Sequence, residues 1–330
     1  MPNASFREMA PHEAGFAEVF ARDILPIYQA SRTEAAALRR RSLMRARIVG
    51  GFGLFVVISL WVRAPLGTDA SRWVVPLFPL FLFGILTLVV ASSGKGAFNA
   101  RIKAEIMPIL LRFLGLKAHH STPDRSFINI DALQKFRVFS AFDRLSIQDG
   151  LEGDWRGVPF RLAELDLSKR RSSSDEDRNT YDTVFSGLVM EITSPVALPD
   201  TVILGKFGDM LDGLVRRFVV PDGFYPVEFE TEEELPFVVY SVDPNAARAQ
   251  FGPVFLEKLR AIAEDQTGEE RRLAAAFDGT QFRLTLHRRA PFLEINALRG
   301  EEAEFVESCR AALADMARPM RVIDLLIDGA

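Results

Sequence analysis

The hydrophobic positions of this chain are blocked in its first hundred residues and alternate only later. Ile48 to Val62 contains no charged residue over 15 positions, and the stretch lengthens to Leu66 if Arg63 reaches back to a polar surface. Trp73 to Gly94 runs 22 positions without a charge. At a rise of 1.5 Å per residue the second stretch is about 33 Å long as a helix, enough for a hydrocarbon core of about 30 Å. The pattern predicts a transmembrane hairpin over residues 48–94, with spans at about 48–66 and 73–94. Pro76 and Pro79 fall in the first turns of the second span, where proline costs least, and Trp61 and Trp73 flank the link at interfacial depth.

Around this block the periodicity is helical. Residues 1–47 form an N-terminal arm in which Phe16, Val19, Phe20, Ile24 and Ile27 repeat at three and four residues, with a break or kink expected at Pro26. Residues 95–117 read as an amphipathic connecting helix with Ile102, Ile106, Ile109, Leu110 and Phe113 on one face. Such a face suits a membrane surface or the flank of the domain that follows.

From residue 118 onward short β-rich runs dominate: Leu145–Glu152, Gly157–Leu167, Val184–Ile192, Thr201–Lys206, Pro226–Glu230 and Pro236–Ser241. A helix is expected at Pro244–Asp265, and Asp278-Gly279 between two apolar runs predicts a tight hairpin. A last strand near Phe292–Ile295 and a helix over Glu301–Ala317 complete the reading. The class is α+β: a two-helix transmembrane hairpin followed by a cytosolic antiparallel-sheet domain, residues 118–330, with packed helices. A pleckstrin-homology-like roll is one arrangement that fits.

Charge fixes an orientation. Arg39, Arg40, Arg41, Arg45 and Arg47 precede the first span, and Lys95, Arg101 and Lys103 follow the second. The link between them carries only Arg63, Arg72 and Asp69. By the positive-inside rule both termini are cytoplasmic, and Arg39, Arg40, Arg41, Arg45, Arg47, Trp61, Trp73 and Lys95 mark the membrane interface. The arginines are also placed to meet anionic lipid headgroups. Residues 1–94 hold 10 basic and 6 acidic side chains of totals of 40 and 44, which leaves 30 and 38 in residues 95–330. A domain that acidic lacks the basic stripe that nucleic acid requires.

The search for chemistry returns little. His12, His119, His120 and His287 are the four histidines; the adjacent pair would point to opposite faces of an extended segment and share no ion. No phosphate-binding glycine loop and no nucleophile elbow occur, and Cys309 reads as a small core residue. No cofactor or metal is expected. The carboxylates Asp149, Glu152 and Asp154 cluster near one turn, and Glu164 and Asp166 share a strand face. The group reads as an ordinary solvated hairpin rim and no catalytic residue is assigned; Asp149 and Asp154 are the candidates if the carboxylates do carry chemistry. The polar run 169–180 reads as a mobile loop and Glu228, Glu230 and Glu232–Glu234 as a charged turn, with an acidic ridge that meets a basic partner as the alternative.

The segments SAFDRLSIQDGLEGDWRGVPFRLAELDL (140–167), FSGLVMEI (185–192) and FYPVEFETEEELPFVVYSVDPNAARAQFGPVFLEKL (224–259) resemble an uncharacterised bacterial membrane-associated domain-of-unknown-function family, numbered three-one-three-seven. The resemblance spans most of residues 40–300. It implies a membrane hairpin with one cytosolic domain and, from the neighbourhood of its members, a LemA-type membrane protein as a partner. It assigns no catalytic residue. The expected function is an inner-membrane-anchored, non-enzymatic protein that binds a protein partner at the membrane. The alternatives are a membrane-tethered carboxylate-dependent enzyme, Mg-dependent in one form, and a lipid-handling or oligomeric membrane assembly.

Overall fold

The computed structural model describes residues 6–63, 81–83, 85–87, 95–171, 180–206, 220–231, 234–264, 273–288, 290–296 and 302–328. The chain divides into two compact units: residues 1–109 with 295–309, and residues 110–294 with 310–330.

The first unit is helical. Helix α1 (Phe16–Val19) passes through a π-helical turn, Phe20–Ile24, into α2 (Leu25–Arg63), which continues unbroken for 39 residues. The break expected at Pro26 does not occur: the helix continues through it, with the wider π-helical turn lying just before. Phe6, Phe16, Phe20, Ile24 and Tyr28 are buried. The four-residue spacing of Phe16, Phe20, Ile24 and Tyr28 puts them on one face, where Phe16 meets Phe6 of the preceding segment edge-on with centroids 4.8 Å apart and Tyr28 stacks on Phe305 at 4.2 Å. Helix α3 (Lys95–Phe113) buries Phe98, Ile102 and Ile106. Its apolar face is thus covered by protein rather than left for a membrane surface. Arg101 of α3 donates two hydrogen bonds to the Glu34 carboxylate of α2, at 3.0 and 2.6 Å.

Among the described residues, the second unit is built on a seven-stranded antiparallel sheet. Strand β1 (Lys117–Ser121) is followed by helix α4 (Ile130–Lys135), capped by Asn129, whose side chain accepts from the Ala132 amide at 3.1 Å. Strands β2 (Arg144–Trp155) and β3 (Val158–Arg170) join through Arg156 and Gly157, both at positive φ, the geometry that matches strand twist. Strand β4 (Tyr181–Gly205) runs for 25 residues, with β3 beside its first part and β6 (Phe237–Ser241) beside its last. Strand β5 (Tyr225–Val227) pairs with β6, and β7 (Leu273–His287) pairs with β4 along both parts. The fourth strand therefore has the third, sixth and seventh as neighbours, an order that a roll of successive meanders does not have.

Three local expectations are revised. Asp278-Gly279 makes no ladder between its own flanks: it lies inside β7, opposite an irregular stretch of β4 between Thr193 and Thr201, and the chain bends there sharply enough for the Thr285 hydroxyl to reach the Ala274 carbonyl at 3.0 Å. Pro195 and Pro199 sit in that stretch and have no amide to donate, so both strands bend there and the flanking apolar runs pair with β4 instead of each other. The helix expected over 244–265 is split into α5 (Pro244–Gln250) and α6 (Pro253–Glu264), because Pro253 disfavours helical backbone just before it. Phe292–Ile295 forms no strand. Helix α7 (Glu302–Asp328) runs past Ala317 and through Pro319, since Val322, Ile323, Leu325 and Leu326 beyond it are all buried.

Helix α4 covers one sheet face, where Ile130 and Leu133 pack with Ala163, Leu165, Leu167, Phe185 and Val189. At one end of the sheet a single row of charged residues crosses five strands. His119, Glu152, Arg161, Glu191 and Arg283 are successive partners on β1, β2, β3, β4 and β7. Arg161 Nε donates to Glu152 and Arg283 Nε to Glu191, each at 2.9 Å. Arg283 is 4% exposed.

Candidate functional site

In the first unit the candidate membrane anchor is α2. Ile48, Phe52, Leu54, Phe55, Ile58 and Val62 are all more than half exposed, Val62 reaching 71%. Among the described residues this is the one helix long and apolar enough to cross a membrane, and only 11% of its most apolar window is buried. Arg40, Arg41, Arg45 and Arg47 are exposed on the turns of α2 just before Ile48, and Arg39, Trp61 and Lys95 are also helical. Trp73 and most of the second apolar stretch lie outside the described residues. Of that stretch, 81–83 and 85–87 are helical.

Those two short segments pack on α2 at its glycines. A Cβ placed on Gly53 would lie 2.5 Å from the Phe83 Cβ, and one on Gly50 would lie 3.7 Å from the Thr87 hydroxyl. Phe52 meets the Phe83 ring edge-on at 5.8 Å. Advancing along α2 from Glu34 to Gly50 to Gly53, the partners fall from Arg101 to Thr87 to Phe83. That descending order is antiparallel.

In the second unit the candidate chemistry is carboxylate. Asp149 and Asp154 are both on β2 but do different things. Asp154 accepts the Gly157 amide at 3.0 Å and closes the β2–β3 turn. Asp149 sits at a bulge, where the register slips between Gln148 and Gly150 and its φ is 22°. The bulge aims its carboxylate at His120, whose Nε2 lies 2.8 Å away. His119 turns to Glu152 instead, at 3.8 Å, as opposite faces of a strand require. Gly150 and Gly153 belong to β2 itself. A Cβ on Gly153 would lie 2.5 Å from the Lys117 carbonyl of β1.

Glu164 and Asp166 share a face of β3. Burial pushes the Glu164 carboxyl up to about 7; Asp149 and Asp166 add to the shift, and the Phe292 amide and Arg288 oppose it. The Phe292 amide donates to Glu164 at 3.2 Å, and the Ser186 hydroxyl donates to Asp166 at 2.6 Å. Arg288 bonds to the buried Asp315, which also accepts the Leu293 amide at 3.1 Å. Asp149, Glu164 and Asp166 are thus brought together electrostatically, with Asp154 apart from them. Sequence reading singled out neither Arg288 nor Asp315. An aspartate inside an apolar helical stripe (Leu313, Met316, Ala317) was the available signal that Asp315 has a buried partner.

Among the described residues no group of three or more His, Cys, Asp or Glu is placed to hold a metal ion. Cys309 is fully buried and burial raises its thiol above the ordinary range, so it is inert packing. Residues 172–179 of the polar run, and Glu232 and Glu233 of the acidic ridge, lie outside the described residues.

No family model matches the chain, and no curated protein does. Among solved structures, it is similar to the crystal structure of the mycobacterial trehalose monomycolate transport factor A, TtfA, at 14% sequence identity. The match covers 68% of this chain and 95% of that one, with a TM-score of 0.32.

Proposed function

We propose that this chain is a membrane-anchored, non-enzymatic protein. Its two apolar stretches cross a bacterial inner membrane as a hairpin, with both termini cytoplasmic, and its α+β unit binds a protein partner at that membrane. The observation that carries the reading is the exposure of the apolar side chains of α2 from Ile48 to Val62. At about 25 cal/mol per Å² of apolar surface, six large side chains more than half exposed to water would forgo several kcal/mol that a bilayer supplies. The antiparallel order of Glu34–Arg101, Gly50–Thr87 and Gly53–Phe83 supports the hairpin, and the exposed arginines before Ile48 support the orientation. An enzyme acting through Asp149 and Asp154 is the weaker reading, since one is engaged by His120 and the other by the β2–β3 turn. The resemblance to a family neighbouring LemA-type proteins makes such a protein the first partner to test.

Topology is tested by cysteine labelling in a Cys309→Ala background. Thr68→Cys, between the spans, should react with a membrane-impermeant maleimide in whole cells, whereas Ser173→Cys should react only after lysis. The reverse pattern would sink the orientation. Partner binding is tested by mass spectrometry of what co-purifies with the full chain in mild detergent. Absence of any stoichiometric protein would overturn that half of the proposal.

A further inference from the structure

The second unit holds a groove of about 700 Å³ between the segment after β5 and the α5–α6 pair. Its apolar lining includes Phe229, Leu235, Phe251 and Leu256. Phe251 occupies the break between the helices, 6.2 Å from Phe229, 4.6 Å from Phe255 and 5.8 Å from Phe277 of β7. The groove wall is therefore anchored in the sheet core. The rim is charged and unbalanced. Glu228, Glu230 and Glu257 are exposed on it, and none of the three forms an ion pair among the described residues. Two arginines, Arg248 and Arg260, also line the groove, Arg260 donating to the Glu234 carbonyl at 3.2 Å, so three carboxylates stand against two cations.

We infer that this groove docks the partner through a peptide segment whose apolar side chains sit between lysines or arginines. Apolar anchors would fill the aromatic floor, where binding energy concentrates, and the cations would meet the rim carboxylates. The inference rests on the proposed function and deepens it. A partner held at the inner face of the membrane offers juxtamembrane segments that the positive-inside bias makes basic. That chemistry matches a groove with an apolar floor and an acidic edge.

The test uses the full chain in a neutral detergent and a fluorescently labelled synthetic peptide with a Leu-Phe pair between lysines, read by anisotropy. The expected result is saturable binding, weakened about tenfold when glutamates replace the lysines or serines replace the Leu-Phe pair. The variant Glu228→Gln/Glu230→Gln/Glu257→Gln should lose about tenfold, or ~1.4 kcal/mol, and Glu230→Lys/Glu257→Lys should prefer the glutamate-flanked peptide. Absence of binding, equal binding of all peptides, or an unchanged affinity in the triple variant overturns the inference. A partner that still co-purifies with the triple variant overturns the groove while leaving the proposed function standing; no partner with the wild-type chain fails that function itself.

Discussion

Replacing Gly187 by alanine tests how the central strand is held. Gly187 lies on β4 between Leu165 of β3 and His287 of β7, at φ 155°. A Cβ there would stand 2.1 Å from the Leu286 carbonyl oxygen, 2.8 Å from the Arg288 amide nitrogen and 3.0 Å from the His287 Cα. All three are backbone atoms, so no side chain can swing aside. Relief to ordinary contact requires β4 and β7 to part by about 1 Å, which stretches the adjacent Arg288 amide to Ser186 carbonyl bond from its 3.0 Å. Overpacking and one weakened ladder bond together cost about 3 kcal/mol. For a unit of roughly two hundred residues this lowers the melting temperature by about 6–12 °C. Gly157→Ala is the control: its φ is also positive, at 82°, but nothing lies within 4 Å of the added carbon, so only the backbone preference of about 1 kcal/mol is lost. The assay is thermal unfolding of the full chain in mild detergent, followed by near-ultraviolet circular dichroism. Equal shifts for the two variants would refute the close-approach argument.

Three further outcomes are expected. Gly53→Ala forces α2 and Phe83 apart while Gly51→Ala, with open space around it, does not; a double-mutant cycle with Phe83→Gly should show coupling of about 1 kcal/mol for Gly53 and none for Gly51. Arg283→Met leaves Glu191 without its cation in a mostly buried position and should cost about 3 kcal/mol by chemical denaturation, with most of it regained in Arg283→Met/Glu191→Leu. Glu164 binds its proton more tightly folded than unfolded, so stability falls as pH rises from about 4.5 to 7 and levels off above. After allowing for partial exposure the change is about 1–2 kcal/mol, and Glu164→Gln should flatten the profile across that range while leaving it unaltered elsewhere.

The parts of the fold legible in the sequence are those with long, one-sided patterns. The apolar block from Ile48 to Val62 predicts a helix because no other element leaves so many uncharged residues without a polar face. The strands around Leu162, Leu165 and Val189 were visible because branched apolar residues recur among turn signals. What escaped were features set by distant chain. Lys117–Ser121 is polar and carries two histidines, and it is a strand only because β2 offers it an edge. Asp278-Gly279 has strong hairpin chemistry, yet β4 supplies a better partner to both flanks than they supply to each other. The carboxylates were legible as a group and not as roles. Asp149 and Asp154 look alike in sequence, and a single bulge between Gln148 and Gly150 decides which of them turns toward His120.

The row of charges across β1, β2, β3, β4 and β7 has a consequence for how the sheet assembles. Long antiparallel strands with alternating apolar residues can slide by two positions without exposing their buried face, so hydrophobicity alone tolerates such a mispairing. A two-residue slide of β4 would set Arg161 against Val189 or Thr193 rather than Glu191, and would strand Arg283 in the interior opposite an uncharged residue. Each misaligned sheet would then leave the mostly buried Glu191 without its cation and Arg283 with only the 3.7 Å contact to Asp278 on its own strand, a state several kcal/mol above the aligned one. The ladder works as a set of dowels: it adds little to the strength of the finished sheet and admits only one way of joining the boards.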